Sequence, residues 1–428
     1  MVLNKSLQME ILRPHLIETK EPSSVFKNNF RVCYYYSKIF GTFPCALKSR
    51  HEDTGRLDIG MVTSIIHGAM LLMMIQQNVL NSLNQLALLE KLHLKSPQND
   101  TFNPHNHMRI FLAKFTNKTD YVALIFYMGA FLTSIRMAKQ VASLQRYFDQ
   151  LNEDIAEQKK LLPDVFVTER SDPTFRRSVL LTLSSSIVTT IGLITSRIRE
   201  PVRAIPLTQL YKFGKDFVKI SSMSYCLEFL VLCTMLKYHF SYANGVLLRM
   251  SSMEKVWQAP WFNGVLEKVG IWHRTLSQTL VQINQIHQLQ NLLSVISCTI
   301  HILPHLFLMG IRLLGSIEDD NYTIIQFLLS GGRYILAIFL RCHFASIVTH
   351  EANKTKMYLC NFLMKHNDPQ LTEQIKIILQ QMSSGTTSFQ LCGLVNLDNS
   401  LFLSTMLALV GYFIIILQSY MSEVDSEN

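Results

Sequence analysis

Apolar runs of membrane-crossing length, separated by polar and basic segments, organise this chain of 428 residues. Seven such runs occur, at residues 60–79, 121–138, 178–195, 218–238, 290–314, 324–346 and 401–420. About 20 mainly apolar residues suffice for a helix to cross a bilayer, so each run is read as a transmembrane helix. His67, Gln76 and Gln77 interrupt the first. Two connecting segments keep a helical period of their own. Within residues 239–289, Leu276, Leu280, Ile283 and Ile286 share one face; within 347–400, Leu371, Ile375, Ile378 and Leu379 do the same. His366-Asn367-Asp368-Pro369 reads as a loop entering a helix start. No internal repeat or low-complexity segment is present.

The last run differs from the others. Residues 399–422 carry no charge. Ser404, Gly411 and Gln418 recur every seven residues, as do Thr405, Tyr412 and Ser419. At 100° per residue these six and Ser400 occupy an arc of about 140°, which also holds Ala408 and Ile415. Phe402, Leu403, Met406, Val410, Phe413, Ile414 and Leu417 take the opposite side. A spanning helix with one small, polar face can line water, or it can pack closely on a neighbouring helix. Periodicity alone leaves both open.

Charge sets the orientation. With residues 1–59 inside, the inner segments hold 24 of the 40 Lys and Arg and the outer segments 10. Positive charge favours the cytosolic side. Seven spans then put the C-terminus outside, opposite to a G-protein-coupled receptor; neither Asp-Arg-Tyr nor Asn-Pro-x-x-Tyr stands in its expected place. Sequons at Asn99, Asn117 and Asn321 fall in outer loops and are candidate glycosylation sites, while those at Asn4 and Asn353 face the cytosol. The first 57 residues are polar and basic without a secretory signal pattern, so the first span is expected to direct insertion.

Composition narrows the class further. Charged residues are 17%, against about 25% in soluble proteins. A mean hydropathy of +0.18 is low for purely greasy spans and suits spans carrying polar residues for function. The pI of 9.1 reads as basic inner surface facing anionic lipid. Nucleic acid is excluded as a partner, since no basic patch is interleaved with aromatics. Cys226, Cys233, Cys298 and Cys342 fall in spans; Cys33, Cys45, Cys360 and Cys392 fall in cytosolic, reducing segments, so no disulfide framework is expected. No Cys or His spacing suggests zinc, and no metal or other cofactor is implied.

One stretch resembles a known family. Ser388-Phe389-Gln390-Leu391-Cys392-Gly393-Leu394, Asp398, then Gly411-Tyr412-Phe413-Ile414-Ile415-Ile416-Leu417-Gln418-Ser419 is similar to the C-terminal signature of insect gustatory receptors. That pattern reads Phe-x-x-Cys-Gly, an acidic link, Thr-Tyr, five apolar residues and Gln-Phe. Phe389, Cys392, Gly393, Tyr412 and Gln418 match; Gly411 replaces the threonine and Ser419 the final phenylalanine. The motif covers about 30 residues, and length and span pattern extend the likeness over the chain.

The resemblance implies an all-α membrane protein of seven spans, cytosolic N-terminus and extracellular C-terminus, working as one subunit of a tetrameric channel. The segments at 239–289 and 347–400 would form a cytosolic anchor joining the four subunits, which are copies of this chain or other gustatory receptors. Four copies of the last helix would surround a cation pore lined by Ser404, Ala408, Gly411, Ile415, Gln418 and Ser419, with Tyr412 in support and Phe389, Cys392 and Gly393 forming the link beneath it. Gln418 can replace ion hydration without fixed charge, and a ring of Ile415 can close by dewetting. Glu423, Asp425 and Glu427 either make the pore mouth negative or form a solvated tail.

The resemblance also implies a small-molecule tastant bound in an outward cleft. The outer ends of the spans supply Tyr121, Phe126, Thr190, Phe217, Tyr225, His305, Tyr322, Phe327 and Arg333, an aromatic set with a few polar groups. Arg333, after Gly331 and Gly332, lies mid-span where a charge is costly. It either hydrogen-bonds the ligand or pairs with Glu228, the only acid within a span. His301 and His305 flank Pro304 one turn apart; without a third ligand they read as pocket or packing residues. Sugar receptors of the family carry an acid after the signature tyrosine. Phe413 stands there, which favours bitter plant metabolites over sugars. Permeant cations and membrane lipid complete the expected partners, and sensory-neuron plasma membrane is the expected location.

Rival readings are an odorant-receptor subunit and a secondary transporter, which would show inverted repeats and broken helices. An enzyme is not expected: Gly-x-Ser-x-Gly, P-loop, dinucleotide and His-Glu-x-x-His motifs are missing.

Overall fold

The computed structural model describes residues 206–252, 261–313, 321–365, 368–383, 385 and 387–427, together with helical residues 147–158 and scattered helical positions between 125 and 184. The expected N-terminal segment 1–59 and the span at 60–79 lie outside the described residues; the spans at 121–138 and 178–195 lie almost wholly outside them.

Three helices dominate: α1 (Pro206–Ser252), α2 (Phe262–Leu313) and α3 (Asn321–Lys365). They have 47, 52 and 45 residues, which at 1.5 Å per residue is about 70–80 Å each, over twice the roughly 30 Å bilayer core. Each expected span therefore runs on, as one helix, into the neighbouring anchor segment. Stretches apolar enough to cross a membrane lie within Phe262–Leu306 and Gly331–Met364, with a shorter one at Asn399–Ile415. Within α2, Pro304 removes one backbone donor from the ladder.

Cross-helix contacts define the register. Cys226 Sγ approaches Ala337 O at 4.0 Å, and Asn244 bonds both Glu351 and Thr355. Partner numbers rise together, so α1 and α3 run side by side in parallel. His273 Nε2 donates to Ala352 O at 3.2 Å, while the His301 ring lies 5.0 Å from that of Tyr334. Here one number falls as the other rises, so α2 is antiparallel to α3. Leu276, Leu280, Ile283 and Ile286 are all buried against this pair, as their period predicts. Burying one such side chain contributes about 1.5–3 kcal/mol.

Polar contacts lock the same helices. Glu351 Oε2 accepts from Ser241 Oγ at 3.2 Å and Asn244 Nδ2 at 3.3 Å, and Oε1 from Lys354 Nζ at 2.7 Å. Asn244 Nδ2 also reaches the Glu351 carbonyl at 2.8 Å, and Thr355 Oγ1 donates to Asn244 Oδ1 at 2.7 Å.

Below them, α4 (Pro369–Ser383) starts where expected: Asp368 Oδ1 accepts from the Gln370 N–H at 3.1 Å and Pro369 takes the first helical position. Its face of Leu371, Ile375 and Met382 is buried, with Ile378 and Leu379 partly so. A two-stranded hairpin follows, β1 (Gln390–Leu391) antiparallel to β2 (Val395–Asn396), and then α5 (Asn399–Glu427).

Candidate functional site

The link into α5 is built residue by residue. In the turn of the hairpin the Leu394 N–H bonds Leu391 O at 2.9 Å, and both central residues have positive φ: 52° at Cys392 and 74° at Gly393. Tight hairpins favour that mirror-image geometry because it matches strand twist. Gly393 meets it freely. Cys392 carries a Cβ, and such a residue costs about 1–2 kcal/mol there. Phe389 is buried edge-on against Phe229 of α1, ring centroids 5.3 Å apart, and the Gln390 N–H donates to Asn284 Oδ1 of α2 at 3.0 Å. Asp398 then caps α5: its Oδ1 accepts from the N–H groups of Ser400 and Leu401, each at 3.0 Å, and from Ser400 Oγ at 2.7 Å. The signature is thus a hinge fixed at both ends.

Above it, α5 rests on the bundle along a narrow arc. Phe402 meets Phe339 of α3 edge-on at 5.3 Å, Leu409 is buried, and Phe413 and Leu417 cover Gly310 of α2. A Cβ at Gly310 would stand 2.8 Å from the Phe413 ring. The opposite face holds Ser404, Ala408, Gly411, Ile415 and Gln418, all exposed. At 100° per residue this stripe is centred about 160° from Leu409 and Phe413. Ser419's side chain lies outside the described residues. Of the apolar side, Leu403, Val410 and Ile414 do not pack on the bundle but form an exposed flank of the stripe; Tyr412, 62% exposed, forms the other. Sequence periodicity divides a helix into two halves, whereas contact with the bundle covers only a third of it.

Of the expected ligand residues, the structure brings His305 and Arg333 together. A Cβ on Gly331 would lie 3.6 Å from His305 Cβ, so α2 and α3 approach closely there. Tyr334 stacks on His305 (6.2 Å, 20°) and meets His301 (5.0 Å, 30°), and the Arg333 guanidinium lies 4.5 Å from the Tyr334 ring centre. Arg333 is buried, and no ion pair joins it to Glu228. His301 Nδ1 donates to Ser297 O at 2.7 Å, which fixes its tautomer along the helix. Among the described residues no three His, Cys, Asp or Glu converge on a metal position. Tyr334 was absent from the expected set; its place one turn from Ser330 on the glycine-bearing face was the available signal. Phe217, Tyr225, Tyr322 and Phe327 are helical, but their side chains lie outside the described residues, as do Tyr121, Phe126 and Thr190 altogether. Asn321 opens α3; Asn99 and Asn117 lie outside the described residues.

Long helices with membrane-length apolar stretches, braced by an amphipathic helix and ending in a helix with a polar, outward stripe, suit a helical membrane protein. The sequence pattern described as 7tm chemosensory receptor matches residues 30–423, and the chain belongs to that family. It is a chemosensory receptor, not an enzyme. The fold is similar to that of the insect olfactory receptor OR5 from Machilis hrabei in complex with eugenol: TM-score 0.62 at 11% identity, covering 92% of this chain and 98% of that one. A second structure of the same Machilis hrabei receptor gives 0.59 over the same shares of both chains. Gustatory receptor for sugar taste 43a of Drosophila melanogaster is 24% identical over 156 residues, so this chain matches 36% of that relative's length.

Proposed function

We propose that this chain is a gustatory receptor of sensory neurons that works as a tastant-gated, non-selective cation channel, assembled as a tetramer from copies of itself or with other gustatory receptors. The observation that carries the reading is the face of α5 turned away from its own bundle, where Ser404, Ala408, Gly411, Ile415 and Gln418 stand in line. An uncharged polar stripe is suited to a water-filled path shared between subunits. The exposed flank of Leu403, Val410 and Ile414 suits lipid or a neighbouring copy. Exposed apolar residues on the expected cytosolic half, Met357, Met364 and Leu394, support contact between subunits.

The tastant is a small organic molecule held where His305, Tyr334 and Arg333 gather, and its binding favours the state in which the α5 helices are apart. Two ligand classes are in play. Phe413 after the signature tyrosine argues for bitter plant metabolites, and its packing on Gly310 gives it a structural task an acid could not perform. Similarity to a Drosophila sugar-taste receptor argues for sugars. Whole-cell recording from cells expressing the chain decides both questions. A current evoked by one panel and not the other names the class. Gln418→Ala is expected to change relative cation permeability several-fold while leaving surface expression intact. Labelled solute accumulating without current would replace the channel by a transporter.

A further inference from the structure

A second buried polar cluster serves neither the stripe nor the ligand residues. His287 and Gln290 of α2 and Arg341 of α3 are 0, 1 and 2% exposed. His287 Nδ1 lies 3.0 Å from Gln290 Oε1. Arg341 Nη1 donates at 3.2 Å to Ala337 O in its own helix, the carbonyl that the Cys226 thiol approaches from α1. His287 Nε2, Gln290 Nε2 and Arg341 Nε have no hydrogen-bond partner among the described residues.

The register places these groups at one level. Contacts of His273 with Ala352 and of His301 with Tyr334 bracket the α2–α3 pair. His287 is midway between 273 and 301, and residue 343 midway between 334 and 352, so His287 and Gln290 stand opposite Arg341. Phe229 closes the α1 side, its ring 5.6 Å from that of His287, with Phe389 of the hairpin behind it.

A guanidinium does not lose its proton in a protein, and a buried charge without a counter-charge is strongly unfavourable. No described carboxylate supplies one. Glu351 is engaged by Lys354, and Glu228 Oε1 is itself unpartnered and outside ion-pair distance of Arg341. We propose that Arg341, His287 and Gln290 form an internal binding site for a small monovalent inorganic anion of chloride size. Arg341 Nε–H is one donor. If Gln290 turns its amide over and donates to His287 Nδ1, their hydrogen bond is kept and His287 Nε2 carries the proton as a second donor. The near-complete burial excludes a lipid headgroup. The site stands at the inner edge of the spans, so the cytosol supplies the ion, and it needs only the three-helix packing, whatever α5 conducts.

The full-length receptor in detergent is to be melted in sodium chloride and in sodium gluconate at equal ionic strength. The melting midpoint is expected to rise saturably with chloride by several degrees, bromide replacing it, because a ligand of the folded state stabilises by mass action. Arg341→Met is expected to abolish the response. Should that variant not fold, Gln290→Leu and His287→Asn are each expected to weaken it several-fold. A midpoint indifferent to the anion, or a chloride response unchanged in Arg341→Met or in both substitutes, overturns the proposal.

Discussion

Asn244 and Arg341 are both almost completely buried between the same helices, about 15 Å of helix apart at the 1.5 Å rise, yet their surroundings differ. Around Asn244, every hydrogen-bonding atom of its side chain has a partner in Glu351 or Thr355, and Ser241 and Lys354 complete the Glu351 carboxylate. Around Arg341, two helices present polar atoms that find none among the described residues. Satisfied networks specify one packing, whereas orphaned ones leave room for an additional ligand. The level of Asn244 is thus built to be held in one arrangement, and the level of Arg341 to be completed by something else.

Breaking the satisfied network should cost most. Asn244→Leu strands the Glu351 carboxylate and the Thr355 hydroxyl, and a loss of about 2–4 kcal/mol is expected in denaturant unfolding. Arg341→Met in gluconate should cost far less or even stabilise, since a well-packed apolar side chain replaces an uncompensated charge. Equal losses in the two variants would erase the contrast.

The joint between α2 and α5 comes next. Gly310→Val drives a branched side chain into the Phe413 ring, and overpacking of this kind costs about 1–3 kcal/mol. Phe413→Leu should restore part of it. A double variant no better than Gly310→Val would show that the two residues do not meet.

Acid should loosen the anchor. Burial holds the His273 imidazole at about 4 rather than 6.5, with the Ala352 hydrogen bond opposing and Lys356 adding to the shift. At Glu351 burial alone would raise the carboxyl, but the Lys354 ion pair and the Asn244 and Ser241 hydrogen bonds outweigh it, so the net direction is down. Both folded values lie below the unfolded ones. The stability they confer is complete above the unfolded values and is lost as pH falls, for His273 between about 6.5 and 4. His273→Asn is expected to flatten the melting midpoint across that window; an unchanged slope would assign the acid sensitivity elsewhere.

The smallest effects belong to the hairpin. Gly393→Ala, at φ 74°, should cost about 1 kcal/mol. Cys392→Gly should be neutral or slightly favourable, because glycine tolerates the φ of 52° that cysteine does not.

Periodic features were the readable ones. Leu276 through Ile286, the α4 face, the start at Pro369 and the polar stripe of α5 follow from spacing alone, and the motif at Phe389 to Asp398 marked the link. What spacing cannot express is which arc of a helix finds a neighbour. Val410 and Ile414 lie on the apolar side yet are exposed, because α5 meets the bundle along the arc of Phe402, Met406, Leu409, Phe413 and Leu417. Arg341 lies five residues from the expected inner end of its span, where a long basic side chain ordinarily reaches the headgroups. Packing of α1 and α2 on both sides of it prevents that, and no pattern within α3 foretells it. Cys392 at positive φ is likewise set by the turn around it.

The continuity of α1, α2 and α3 has a mechanical corollary. A rod of about 70 Å pivoted near its middle is a lever with two long arms. A tilt of about 5° moves each tip by about 3 Å, close to the width of one atom contact. Displacements far too small to reorganise the outer ends of the bundle would therefore arrive undiminished beneath it, at the helices that carry the hinge of α5.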